Sequence, residues 1–184
     1  MHELGANVET SDEGGYTPLN CAVQEGHVEV VRVLHELGAN IETPDKNGWT
    51  PVFIAAGTGC VEVVKVLNEL GANVETLNKD GYTPVNIAAQ NGLVEVVRVL
   101  HELGANVKTP NKDGATPVYS AAQNGHAEVV RVLHELGADV ETPKKNGWTP
   151  VVVAEMNNQM EVVRVLNELG ATTRCVEIIS RQIP

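Results

Sequence analysis

A short phrase recurs through this chain in strict phase. DKNGWTP at 45–51 returns as NKDGYTP at 78–84, NKDGATP at 111–117 and KKNGWTP at 144–150, each copy 33 residues after the last. A period between 20 and 50 residues is the mark of a solenoid or array, in which one unit cannot bury its own apolar face and leans on its neighbours. That overrides the single globular domain suggested by a length of 184 residues. The few aromatics agree, since two Trp, three Tyr and one Phe leave Val, Leu and Ala to fill a thin, stacked core.

Within each unit the signals run in a fixed order. Gly14-Gly15, Asn47-Gly48, Asp80-Gly81, Asp113-Gly114 and Asn146-Gly147 predict tight hairpin turns with positive φ at glycine. Thr-Pro follows at 17–18, 50–51, 83–84, 116–117 and 149–150, a cap and a first helical residue. The short helix so begun carries a fixed alanine, Ala22, Ala55, Ala88, Ala121 or Ala154, small enough for close helix approach, and stops at Gly26, Gly59, Gly92 or Gly125. A second helix, VEVVRVLHELGA in its commonest form, sets Val28, Val31, Leu34 and Leu37 on one stripe, widened by Val30 and Val33. Glu29, Arg32 and Glu36 lie opposite, with Glu29–Arg32 read as helix-surface support. Leu-Gly-Ala then ends the helix, with glycine in the left-handed capping position.

Charge bounds the partners. A net charge of −11 argues against nucleic acid and anionic membrane surfaces, both of which call for a basic footprint. No apolar run reaches the length of a membrane span, and no leader pattern opens the chain. Cys21, Cys60 and Cys175 have neither metal nor redox spacing, so a reducing, intracellular and cytoplasmic setting is expected. His101 and His134 fall on successive outer helices without a third ligand and are read as surface residues, with no metal or cofactor expected. Phosphate loops, zinc-protease motifs and nucleophile frames do not occur, so no catalytic residue is assigned and the chain is read as not an enzyme.

Gly-x-Thr-Pro, the alanine of the first helix, Gly-His at 26–27 and 125–126, and Leu-Gly-Ala in a 33-residue frame together resemble the ankyrin repeat family. The resemblance covers about residues 1–172, with a partial unit at 1–10 and helix pairs near 15–39, 48–72, 81–105, 114–138 and 147–171. It implies an all-α solenoid of stacked helix-turn-helix units with projecting β-hairpin loops, an inner short helix and an outer long one. It also implies protein binding through hairpin tips and inner helices. Two departures stand out. The histidine usual two residues after the proline is replaced by Asn20, Phe53, Asn86, Tyr119 and Val152, and the asparagine sometimes hydroxylated in the family by Glu9, Glu42, Glu75, Lys108 and Glu141, so that modification does not carry over. Residues 173–184 form a tail expected to fold back over the end of the stack, and Glu155 marks a last unit less committed to a successor.

Comparing the internal copies singles out the positions that change. All six aromatics occupy two slots, and the one after the turn glycine, Tyr16, Trp49, Tyr82 and Trp148 (with Ala115 in the fourth copy), is the expected partner-binding column. Lys46, Lys79, Lys112 and Lys145 make a lysine ladder along the tips, expected to favour an acidic patch on a partner. Gln90, Asn91, Gln123 and Asn124 end the short helices with adaptable amides. The expected function is a non-enzymatic module gripping a protein or peptide. The alternatives are a spacer or spring segment of a longer solenoid, or an engineered scaffold without a natural target. An uncovered N-terminal face is expected to fray, or to self-associate weakly end to end in an otherwise monomeric chain.

Overall fold

A computed structural model describes residues 7–171. Ten helices pair in sequence: α1 (Pro18–Gln24) with α2 (Val28–Glu36), α3 (Pro51–Thr58) with α4 (Val61–Glu69), α5 (Pro84–Gln90) with α6 (Val94–Glu102), α7 (Pro117–Asn124) with α8 (Ala127–Glu135), and α9 (Pro150–Met156) with α10 (Met160–Glu168). Odd-numbered helices pack on odd and even on even, giving two layers of helices. The expected partial unit at 1–10 is described only from residue 7, and the tail at 173–184 lies outside the described residues.

Each short helix starts on threonine for a visible reason. The hydroxyls of Thr17, Thr50, Thr83 and Thr116 accept from the backbone N–H three residues on, and proline follows where no donor is missed. Thr149 departs from this and makes no cap bond. Ala55, Ala88, Ala121 and Ala154 are fully buried, their methyls letting successive short helices lie close. Leu67, Leu100, Leu133 and Leu166 are equally sealed on the long helices, each burial stabilising by about 1.5–3 kcal/mol.

Both helices of a unit end in the same way. After α1 the His27 N–H reaches the Ala22 carbonyl (2.9 Å), and after α2 the Ala39 N–H reaches that of Leu34 (2.9 Å), the six-to-one bonds of a Schellman ending. The fifth copy keeps this ending with Asn158 at φ 59° in place of glycine. The reason lies in the next unit. A Cβ on Gly92 would stand 2.6 Å from the His126 ring and one on Gly125 would stand 2.4 Å from Gln159, whereas Asn158 has no such follower among the described residues. Asparagine tolerates the left-handed region, so it serves where nothing presses on it.

The units are joined by polar links as well as by packing. Arg32, Arg98 and Arg131 reach forward to Glu69, Glu135 and Glu168 of the next unit at 2.7, 2.9 and 2.9 Å. This corrects the intrahelical reading of Glu29–Arg32: among the described residues, the ion pairs within one helix are Lys65–Glu62 and those of Arg164 with Glu161 and Glu168. The glutamates that replace the family's asparagine are also engaged. Glu9, Glu42 and Glu75 accept the N–H of Asn40, Asn73 and Asn106 one unit on, at 2.7, 2.6 and 2.6 Å, short as charge-assisted bonds are.

The slot two residues after the proline holds two asparagines in different states. Asn86 closes a capping box, its Oδ1 accepting from both the N–H and the hydroxyl of Thr83 at 2.8 Å. Asn20 is wholly buried with neither amide atom paired among the described residues, whereas Asn86 leaves only Nδ2 unpaired. An unpaired buried polar group costs about 1–3 kcal/mol, and the fifth copy already carries Val152 in this slot. Asn20→Val is expected to stabilise the fold by about 1 kcal/mol or more, and Asn86→Val to destabilise it by stranding the Thr83 donors. Urea unfolding of the two variants checks this; shifts of the same sign would contradict it.

Candidate partner-binding surface

The tips are built by one side chain per unit. The Oδ1 of Asp45 accepts the N–H of Asn47 and of Trp49, both at 2.8 Å, an Asx turn that bends the chain and fixes the direction of the following aromatic residue. Asp12, Asn78 and Asn111 do the same in their units, the last two for Tyr82 and Ala115. Lys144 fills this slot in the fifth copy and has no acceptor, so Asn146 takes the Trp148 N–H at 3.1 Å. Asp45 and Asn111 are buried in this role. The sequence reading passed over these residues, although an Asp or Asn three places before glycine in four copies was a usable signal.

The expected β-hairpins do not extend into strands; none is assigned among the described residues. Each tip closes on two backbone bonds, Asp45 N–H to the Trp49 carbonyl and Gly48 N–H to the Asp45 carbonyl in the second unit, both 3.0 Å. The tips then bond to one another. The N–H groups of Lys46, Lys79, Lys112 and Lys145 donate to the carbonyls of Gly14, Asn47, Asp80 and Asp113 at 3.0–3.1 Å. A backbone ladder thus ties the five tips where the sequence suggested only a row of side-chain charges.

That ladder limits what can replace the turn glycines. Gly81 has φ 79°, and a Cβ there would stand 3.0 Å from the Lys112 backbone nitrogen. Gly147 has φ 85° with nothing within 4 Å.

The column after the turn glycine is half-buried. Tyr16, Trp49, Tyr82 and Trp148 each keep part of the ring in solvent, and Tyr16, Trp49 and Trp148 rest on the core. Ala115 in the same slot is buried. The second aromatic slot is sealed: Phe53 is 1% exposed and Tyr119 2%. Phe53 supports Trp49, with ring centroids 5.3 Å apart and planes tilted by 36°. Burial pushes the Tyr16 phenol above its ordinary value, with the negative charges of Asp45, Cys21 and Asp12 adding to it. Burial alone does the same for Tyr119, whose ring also carries the Lys144 ammonium at 5.3 Å.

Between the second and third tips a cleft of about 340 Å³ opens, walled by Trp49, Phe53, Tyr82, Ile87, Asp80 and Gln90. It brings together Trp49, Tyr82 and Gln90 of the expected site. The amides of the other expected residues differ in their freedom. Asn91 Nδ2 donates to the Gly57 carbonyl at 2.9 Å and Asn124 Nδ2 to that of Ser120 at 2.8 Å, whereas the Gln90 and Gln123 side chains hold no hydrogen bond among the described residues. Lys46, Lys79, Lys112 and Lys145 are all exposed, but acidic neighbours grade their charge along the tips. The first tip holds Asp12 and Glu13, the middle three each pair one lysine with one aspartate, and the fifth holds Lys144 and Lys145. Positive charge therefore concentrates at the fifth tip.

If the ladder matters to the tips, Gly81→Ala should lower stability by about 1–3 kcal/mol, from backbone strain plus displacement of Lys112, and Gly147→Ala by less. Thermal unfolding of the two variants is the check, and equal losses would contradict it.

No curated protein matched this sequence. The models described as ankyrin repeats, in three copies and in many copies, match residues 37–111 and 103–175, and residues 1–55. With the stacked helix pairs, capped tips and Schellman endings already seen, these matches place the chain in the ankyrin-repeat family.

Proposed function

We propose that this chain is a non-enzymatic binding module that holds an extended protein or peptide segment across its tips and odd-numbered helices. Ankyrin repeats are in general protein–protein interaction modules and generally non-enzymatic. The supporting observation is the cleft between the second and third tips, where Trp49, backed by Phe53, and Tyr82 both stand half-open to solvent. Rigid aromatics in such a setting lose little freedom on binding and are over-represented among the anchors of interfaces. An apolar or aromatic side chain of the partner fits between the two rings, and the free amides of Gln90 and Gln123 serve its backbone. Acidic residues toward one end of the partner segment would lie at Lys144 and Lys145, fixing its direction and speeding encounter. The same net charge of −11 weighs against nucleic acid as the partner. No helix among the described residues is long and apolar enough to cross a membrane.

A second reading, a length of solenoid that sets distance or flexes, draws on the unbroken backbone ladder along the tips. Selection of displayed peptides against the folded chain separates the two. Binders are expected, and Trp49→Ala with Tyr82→Ala should weaken them tenfold or more, about 1.4 kcal/mol, while far-UV circular dichroism is unchanged. Binders indifferent to both changes would move the site elsewhere, and a selection that yields none would favour the spacer.

A further inference from the structure

We infer that a second copy of this chain stacks head to tail on the first, seating its α1–α2 unit on the α9–α10 unit of its neighbour in the register that joins units within one chain. The junction between consecutive units has three components, and the two ends of the described structure carry the opposite halves of each.

The first is apolar. Val30, Val33 and Leu37 on α2 are 46%, 50% and 65% exposed, whereas Val63 and Val66, in the same slots of α4, are 1% and 5% exposed. These slots face the preceding unit. At the other end Val163 on α10 is partly open, while its counterparts Val31, Val64, Val97 and Val130 are fully buried under the following unit.

The second component is ionic. Arginine of one long helix bonds glutamate 37 residues on at three junctions. In the same frame Arg164 of one copy meets Glu36 of the next. Glu36 holds no ion pair among the described residues, and Arg164 turns back on Glu161 at 2.6 Å and Glu168 at 3.9 Å.

The third is the tip ladder. Among the described residues the Glu13 N–H meets no preceding carbonyl and the Asn146 carbonyl no following N–H, and the frame that links the four inner junctions would join these two. The charges agree, since Lys144 and Lys145 would come beside Asp12 and Glu13.

Charge also selects this arrangement over a two-fold one. Two N-terminal faces would set Glu36, Asp12 and Glu13 against their own copies, and two C-terminal faces would oppose Arg164, Lys144 and Lys145; like charges in contact suppress a pairing. A head-to-tail contact leaves a free face at each end of a pair, so it adds further copies rather than stopping at the dimer. Because the ion pairs lie in solvent, added salt should loosen it.

Sedimentation velocity of the intact chain across a wide concentration range tests this, under reducing agent because Cys21 is exposed. Species growing past the dimer are expected. Val33→Asp should abolish growth; the position is exposed, so the helix content should hold. Arg164→Glu should weaken association several-fold, and Arg164→Glu with Glu36→Arg should restore it, because the pair is then re-formed with its signs exchanged. Three results overturn the proposal: a single 19.7 kDa species at all concentrations, which leaves residues 172–184 as the occupant of the C-terminal face; association that stops at the dimer; or association that the paired reversal fails to restore.

Discussion

One contact is repeated down this molecule, the face of a helix pair against the next pair, and most local choices in the chain are consequences of it. No pair is thick enough to bury its own valines. Val31 is sealed because α4 covers it, and Val63 because α2 covers it from the other side. The same dependence sets the residues at the turns. Gly92 and Gly125 take the left-handed turn with a side chain of the following unit close against them, and Asn158 takes it where no such neighbour is found among the described residues. Stability in such an array is close to a sum of unit and junction contributions, so a change at one junction is felt mainly by its two neighbours.

The polar links at each junction add less to stability than the packing does, being largely exposed. Their contribution is to register. A stack of near-identical units offers several ways to lie wrongly, and three kinds of bond penalise all but one of them. These are the arginine reaching 37 residues forward, the glutamate accepting a backbone N–H of the next loop, and the ladder along the tips. They vary between junctions. Lys65 stays on its own helix with Glu62, and Lys108 stands where Glu9, Glu42 and Glu75 hold the next loop, so two junctions each lack one link. The aromatic column depends on the same scaffold. Asp45 holds the bend that aims Trp49, and Phe53 holds it from beneath.

Much of the fold was legible in the sequence because phase repetition acts as several independent readings of one unit. Thr-Pro, the fixed alanine and Leu-Gly-Ala each have a local physical cause, so five copies place the helices without reference to the third dimension. What the sequence could not reveal depends on contacts between copies. Glu29–Arg32 looks like an intrahelical pair by spacing, yet the better partner for Arg32 sits on the next helix. Lys46, Lys79, Lys112 and Lys145 stand out in sequence by their side-chain charge, and nothing in the spacing shows that their backbone N–H groups also tie the tips. The two aromatic slots look alike in sequence and differ in depth: Phe53 and Tyr119 point into the stack, Trp49 and Tyr82 lie at its margin. Asn20 and Asn86 occupy one slot with the same side chain, and only Asn86 finds partners.

Site-resolved hydrogen exchange, at concentrations too low for self-association, tests most directly whether junctions hold the fold. If they do, protection is highest in α5 and α6, the middle pair of five, and declines stepwise through the flanking pairs toward α1–α2 and α9–α10. Equal protection in every helix, or an end unit that outlasts the middle, would contradict the account.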